Sequence, residues 1–193
     1  MPLPASPSRS PMHTRTVAYH GFRREDGLWD IEAELTDTKP FELGLYRPKP
    51  LPAGAPVHHL AIRLTLDDEF VVRDIVSALD ATPFGECAQA GPPLAGLVGA
   101  RVASGWRKAI DEAIGGTRGC THLRELLANM ATVAFQTIPA GQARLRQLAG
   151  EPEPVSDRPP FHVGGCITWD ANGPTVQRHY PQFVGWEPLR RAR

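Results

Sequence analysis

The sequence predicts an α+β domain in which antiparallel hairpins form a sheet packed by two long helices. Three observations carry that expectation. Residues 29–35 alternate strictly between apolar and acidic side chains, the period of a half-buried strand. A second pair of β-rich runs flanks the acidic turn Asp67-Asp68-Glu69. From Leu94 onward, apolar residues recur every three to four positions, the helical period. Strands precede helices along the chain, which is the order of an α+β fold and not of alternating parallel α/β units.

Residues 1–12 are rich in Pro and Ser and are expected to be disordered. A single α+β domain is expected over residues 13–140. Its first hairpin joins TRTVAYHGFRR to LWDIEAELTDTK through Asp26-Gly27, a dipeptide suited to a tight turn. Trp29, Ile31, Ala33 and Leu35 form the apolar face of the second run. KPFELGLYRPKPLPAGAP follows as a Pro-rich connection with little regular structure. In the second hairpin Leu60, Ile62, Leu64 and Leu66 share a face, and FVVRDIVSAL returns.

The spacing of Leu94, Leu97, Val102, Trp106, Ile110 and Ala113 predicts the first long helix, stopped by Gly115-Gly116. The stripe Leu123, Leu126, Leu127, Met130, Ala134 and Ile138 predicts the second, with Thr121 as its N-cap and Pro139 at its end. Glu125 stands one position too late to complete a capping box. Residues 141–193 are expected to form a Pro-rich link and a short extended extension on the same domain. A third short hairpin is expected around CITWDANGPTVQRHYP.

The 193 residues carry 21 basic and 21 acidic side chains, so no global field draws the protein to nucleic acid. The basic run LRRAR at the C-terminus reads as a solvated tail. No apolar run approaches the roughly 20 residues needed to span a bilayer. Pro and Ser occupy the N-terminal stretch where a signal peptide would be apolar, so the expected location is cytoplasmic, with no membrane association. Three widely spaced cysteines, Cys87, Cys120 and Cys166, argue against a disulfide framework. No P-loop, GxSxG elbow, HExxH motif or paired CxxC is present.

The segment GGTRGCTHLRELL (residues 115–127) holds the strongest chemical signal. Cys120 and His122 stand two apart where a helix begins. There the backbone is irregular, so both side chains can converge, and a helix N-terminus favours a thiolate. Cys87 lies in the loop before the first helical run, and His58 opens the second hairpin with His59 as its rival. Cys, Cys, His and His together suit Zn²⁺, or iron with an open position. The candidate metal ligands are therefore His58, Cys87, Cys120 and His122. Arg24, Asp26 and Asp37 around the first hairpin are the candidate catalytic residues, with Arg24 as an anchor for a substrate carboxylate. Cys166 reads as a core thiol; His13, His20, His162 and His179 read as structural or surface residues.

REDGLWDIEAELTDTK, the HHxxIRLTLDD hairpin, the Cys87 loop and LVG…GW…GCTHLRELL…FQT together resemble a bacterial family called domain of unknown function 2889. The resemblance runs from His13 to Gln136, with a weaker echo around Cys166 and Arg178-His179-Tyr180-Pro181. It places motif positions on Arg24, Asp26, Asp37, His58, Cys87, Cys120 and His122 and implies no activity. Where the family more often has an acidic residue and a Met after its hairpin His, this chain has His59 and Leu60. The arrangement is also similar to NifU-type iron–sulfur scaffold proteins, implying a NifU-like core with an extra N-terminal hairpin. That pattern lacks its middle cysteine and an Asp here. The leading expectation is a zinc- or iron-centred enzyme acting on a small molecule. A non-catalytic metal or sulfur scaffold, and a binding module with structural thiols, are the alternatives.

Overall fold

A computed structural model describes residues 3–44, 49–152, 154 and 156–187. The LRRAR run lies outside them, as do parts of the two Pro-rich connections. The chain divides into two compact units, residues 1–145 and 146–193.

In the first unit four strands form one antiparallel sheet in sequence order: β1 (Thr14–Arg23), β2 (Trp29–Thr38), β3 (Pro56–Leu66) and β4 (Val72–Ala81). Both predicted hairpins are present. Around Asp26-Gly27 the register places Arg15 opposite Asp37 and Arg23 opposite Trp29. Gly27 takes a φ of 86°, the left-handed region the turn requires. In β2 the inward residues are Trp29, Ile31, Ala33, Leu35 and then Asp37, all buried. Period two thus carries a carboxylate onto the core face.

Helices cover that face. α1 (Trp106–Ile114) and α2 (Thr121–Ala149) share one buried cluster with the inward residues of β2 and β3. Trp106 donates its indole N–H to the Leu127 carbonyl at 2.8 Å, fixing α1 against α2.

The first expected long helix is a correction. Residues 85–90 and 92–97 are 3₁₀ segments, and only Trp106–Ile114 is α-helical. Pro92-Pro93, together with Gly99 at φ 88° and Gly105 at φ 97°, interrupts the run. Leu94, Leu97, Val102, Trp106 and Ile110 still reach the core, because a 3₁₀ turn serves a three-residue spacing as well as an α-helix does.

Pro139 does not end α2, which continues to Ala149. The ring removes one backbone donor, and tertiary contacts hold the turn that follows. Gly141 lies against the Trp29 ring so closely that a Cβ would enter it, and Gly21 on β1 meets Thr137 in the same way. The lengths agree. From Glu125 to Gly141 the helix rises about 24 Å; from Asp37 back to Trp29 the strand covers about 26 Å. α2 therefore runs the length of the first hairpin, with its first turn beside Asp37.

In the second unit no strand occurs among the described residues. The expected third hairpin is replaced by 3₁₀ turns at Ile167–Trp169 and Pro181–Phe183 and by α3 (Pro174–His179). Pro174 sits at a helix N-terminus, where its missing N–H costs nothing. Val163, Ala171 and Val176 form a small core with Trp169 and Tyr180.

Replacing Gly141 with Ala is expected to destabilise the protein by about 1–3 kcal/mol, since the methyl would collide with the buried Trp29 ring. Chemical denaturation checks this, and Gly54→Ala, where no atom lies within 4 Å of the added carbon, is the comparison. Gly54 has a φ of 79°, so its cost reports backbone strain alone.

Candidate functional site

Asp37 sits near the end of β2, on the face otherwise given to Trp29, Ile31, Ala33 and Leu35. Its side chain is 3% exposed. A carboxylate so placed needs partners, and it has them. Arg15, directly opposite on β1, grips it bidentately, Nε to Oδ1 at 2.8 Å and Nη2 to Oδ2 at 2.9 Å. His13 Nε2 approaches Oδ1 at 3.2 Å. From β3, His58 Nδ1 reaches Oδ2 at 3.0 Å.

His58 shares the parity of Leu60, Ile62 and Leu64, which points it inward. This decides between the neighbouring histidines. His58 is 15% exposed at the site, whereas His59 faces the opposite side of the sheet and pairs with Glu34 at 2.7 Å.

α2 supplies the third side. The Cys120 carbonyl accepts the Arg124 N–H at 3.1 Å, so Cys120 holds the N-cap position expected of Thr121, and Thr121 opens the helix. His122 follows within the first turn. Its ring lies 4.0 Å from that of His58, centre to centre. Its Nδ1 faces Cys120 Sγ at 3.5 Å, and its Nε2 faces Asp37 Oδ2 at 3.9 Å. Glu125, one turn on, closes the arrangement by accepting from Arg15 Nη1 at 2.7 Å.

Asp37, His58 and His122 offer one ligand atom each, all within 4.8 Å of one another. The two histidines, with Cys120 and Cys87, line one cavity of about 490 Å³. Its wall also includes Leu60, Leu79, Pro83 and Ala90 among apolar residues, and Arg118 and Glu86 among charged ones. The four residues proposed from sequence as metal ligands thus border the same space. Cys87 and Cys120, however, lie outside the 4.8 Å group.

Arg24 and Asp26 are elsewhere. They pair with each other at the β1–β2 turn, Nε to Oδ1 at 3.0 Å, with side chains 38% and 49% exposed. The hairpin separates them from Asp37 by most of its length. Cys166 is exposed and belongs to the second unit, not to a core. Arg15, His13 and Glu125 are the site residues that sequence reasoning missed. Arg15 faces Asp37 because the hairpin is centred on Asp26, with the Arg24 N–H on the Leu28 carbonyl at 2.9 Å; a two-residue Asp26-Gly27 turn would have set Thr16 opposite Asp37.

Burial and charge act together on the titrating groups. Burial lowers the His58 pKa, and the neighbouring His122 lowers it further, against the pull of Asp37. Burial, then the Arg15 guanidinium, lowers that of His122. Burial alone would raise the Asp37 pKa, but the hydrogen bonds and charge of Arg15, with His13 and His58, hold it below the usual carboxylate value. The favoured state is an ionised carboxylate beside two neutral imidazoles, each keeping one nitrogen lone pair.

A family model described as "Protein of unknown function (DUF2889)" matches residues 13–136, and the chain belongs to that family. The matched region contains every residue of the cluster and of the cavity wall. No curated protein and no solved structure matches the chain. Among the described residues, no helix is long and apolar enough to cross a membrane.

The lowered histidine pKa values give stability a pH dependence of definite sign. Below about pH 6.5, the ordinary value of both histidines, the unfolded chain binds protons that the folded chain does not. With chelator present, stability is therefore expected to be complete above that pH and to fall as pH drops toward 5. A second fall follows below pH 3.8, the ordinary value for Asp37, as its lower folded pKa is passed. Urea titrations from pH 8 to 5 measure the first fall, and His58→Gln with His122→Gln should flatten it.

Proposed function

We propose that this member of the family is a metal-centred enzyme acting on a small molecule, with His58 and His122 as nitrogen ligands beneath the cavity. One observation carries the reading: two imidazoles and a carboxylate come within 4.8 Å of one another at the wall of a cavity that also takes two thiols. Metals bind neutral imidazole and ionised thiol, and both histidines are biased toward the neutral form. The metal class is zinc or iron.

A bound cation with an open position would polarise a carbonyl or activate water. The volume, about 490 Å³, is within the range of small-molecule sites. Arg24 is not assigned the substrate, since its guanidinium is engaged by Asp26 at the far turn. The scaffold alternative is weaker. Only Cys87 and Cys120 border the cavity among the described residues, too few thiols for a four-thiolate cluster.

A second reading has its own observation. Cys120 Sγ, His122 and Asp37 fall in line, at 3.5 Å and 3.9 Å, the order of nucleophile, base and orienting carboxylate. On that reading the cavity would bind an acyl or other electrophilic substrate without metal.

Metal analysis by plasma mass spectrometry on the untagged protein separates the two. Near-stoichiometric zinc or iron is expected, falling at least tenfold in His58→Ala with His122→Ala. Protein that stays metal-free after anaerobic purification and after incubation with zinc would overturn the metal reading and leave the thiol reading. In that event iodoacetamide should label Cys120 faster in the parent protein than in His122→Ala.

A further inference from the structure

The three groups that lie closest together, Asp37, His58 and His122, suggest a site of two imidazoles and one carboxylate. The hydrogen bonding points elsewhere. We infer that Asp37 is not a ligand, and that with Arg15 it forms an outer layer presenting His58 Nε2 and His122 Nδ1 to the cation, where Cys120 supplies the third ligand. This inference rests on the metal reading above and deepens it by naming the ligand set and the metal class.

The carboxylate is already well engaged. Its two oxygens offer about four lone-pair directions; Arg15 and His58 fill three of them with hydrogen bonds, and His13 stands beside Oδ1 as a neighbouring group. Arg15 Nε and His13 Nε2 are 2.8 and 3.2 Å from Oδ1. Arg15 Nη2 and His58 Nδ1 are on Oδ2 at 2.9 and 3.0 Å. A metal bond from either oxygen would have to displace the guanidinium fork or an imidazole. Burial makes that displacement costly, since Arg15 would lose a charge-assisted bidentate pair.

The same contacts orient the imidazoles. An ionised carboxylate only accepts, so the proton of neutral His58 is on Nδ1 and the lone pair is on Nε2. His122 turns Nε2 toward the same carboxylate at 3.9 Å and Nδ1 toward Cys120. Histidine ligands commonly keep their second nitrogen hydrogen-bonded to a carboxylate, as His58 does here; His122 Nε2 lies beyond hydrogen-bond distance of Asp37.

The separation of Cys120 from His122 has a meaning of its own. Zinc bonds of about 2.3 Å to sulfur and 2.05 Å to nitrogen, at a tetrahedral angle, place the two donors about 3.6 Å apart. Cys120 Sγ and His122 Nδ1 are 3.5 Å apart. Cys120 does not belong to the 4.8 Å group, so a cation held by both imidazoles requires its sulfur to approach His58. Two imidazoles and a thiolate select a borderline cation such as zinc over oxygen-preferring cations. The fourth position is left facing the cavity.

Cobalt(II) loaded into the full-length, chelator-stripped protein reads this directly, because thiolate and carboxylate ligands give different spectra. The expected result is intense visible bands of a four-coordinate ion with a near-ultraviolet thiolate charge-transfer band. Cys120→Ser should remove the charge-transfer band. Asp37→Asn, which keeps an acceptor for His58 but not the charge, should keep both features while weakening zinc affinity about 10- to 100-fold. A wild-type spectrum without the thiolate band, or weak bands typical of six oxygen and nitrogen donors, would overturn the inference while leaving a metal site in place. Loss of the thiolate band in a folded Asp37→Asn would overturn the outer-layer role. Failure of the wild-type protein to bind cobalt or zinc would remove the metal reading itself, and this inference with it. Should Asp37→Asn not fold, the wild-type and Cys120→Ser spectra still decide the ligand set.

Discussion

A carboxylate in a core position is the constraint on which this end of the molecule depends. Alternation along β2 turns every second residue inward, and at position 37 the inward residue is Asp. Leaving a buried carboxylate unpaired would cost several kcal/mol, so the surrounding elements must bring it donors. β1 brings Arg15 and the residue before the strand, His13; β3 brings His58. Arg15 and His58 are fixed by strand register, and His13 joins them from just outside β1. An apolar residue at position 37 would have extended the core at no such cost. This chain instead carries the ionic alternative, and two of the imidazoles beside it, His58 and His122, line the neighbouring cavity.

The helix that completes the site is positioned from its other end. Trp29 and Gly141 fit together near the hairpin turn, Gly21 and Thr137 fit one helical turn further along, and the rise of the helix matches the length of the strands. With those contacts made, the first turn of α2 arrives beside Asp37. The Arg15–Glu125 ion pair joins the two there. Packing a long way from the cluster thus sets where Cys120 and His122 stand. A loosening at Trp29 would reach the site as a misplacement of the α2 N-terminus.

Much of this was legible in the sequence because it rests on period and turn chemistry. The alternation at Trp29–Leu35 and the Asp26-Gly27 turn defined the first hairpin, and His58 kept the parity of Leu60 and Ile62. Cys120 and His122 could be recognised at a helix start from the glycines before them and the stripe after. What was not legible depends on backbone breaks or on distance in the chain. Spacing of three to four cannot separate an α-helix from 3₁₀ turns, so the run from Leu94 looked continuous despite Pro92, Gly99 and Gly105. Pro139 read as a stop because the Trp29 and Gln142 contacts that carry the helix onward are tertiary; Gln142 bonds Asp68 near the hairpin turn. Arg24 and Asp26 looked equivalent to Asp37 because all three belong to one hairpin, and only the register shows them at opposite ends.

The two Arg–Asp pairs of that hairpin show why residue type alone does not identify a site. Arg24 holds Asp26 with two hydrogen bonds, and Arg15 holds Asp37 with two. The first pair is at a turn, open to water, where its attraction is screened and each partner is replaceable by solvent. In the second the carboxylate is 3% exposed although its arginine is 31% exposed, so the same attraction reaches Asp37 through a less polarisable medium. At the turn the carboxylate influences little beyond the loop. In the core face it holds His58 through Nδ1 at 3.0 Å and stands 3.9 Å from His122 Nε2. What separates the two pairs is the burial of the carboxylate, 3% exposed in Asp37 and 49% in Asp26, set by where each falls along one hairpin.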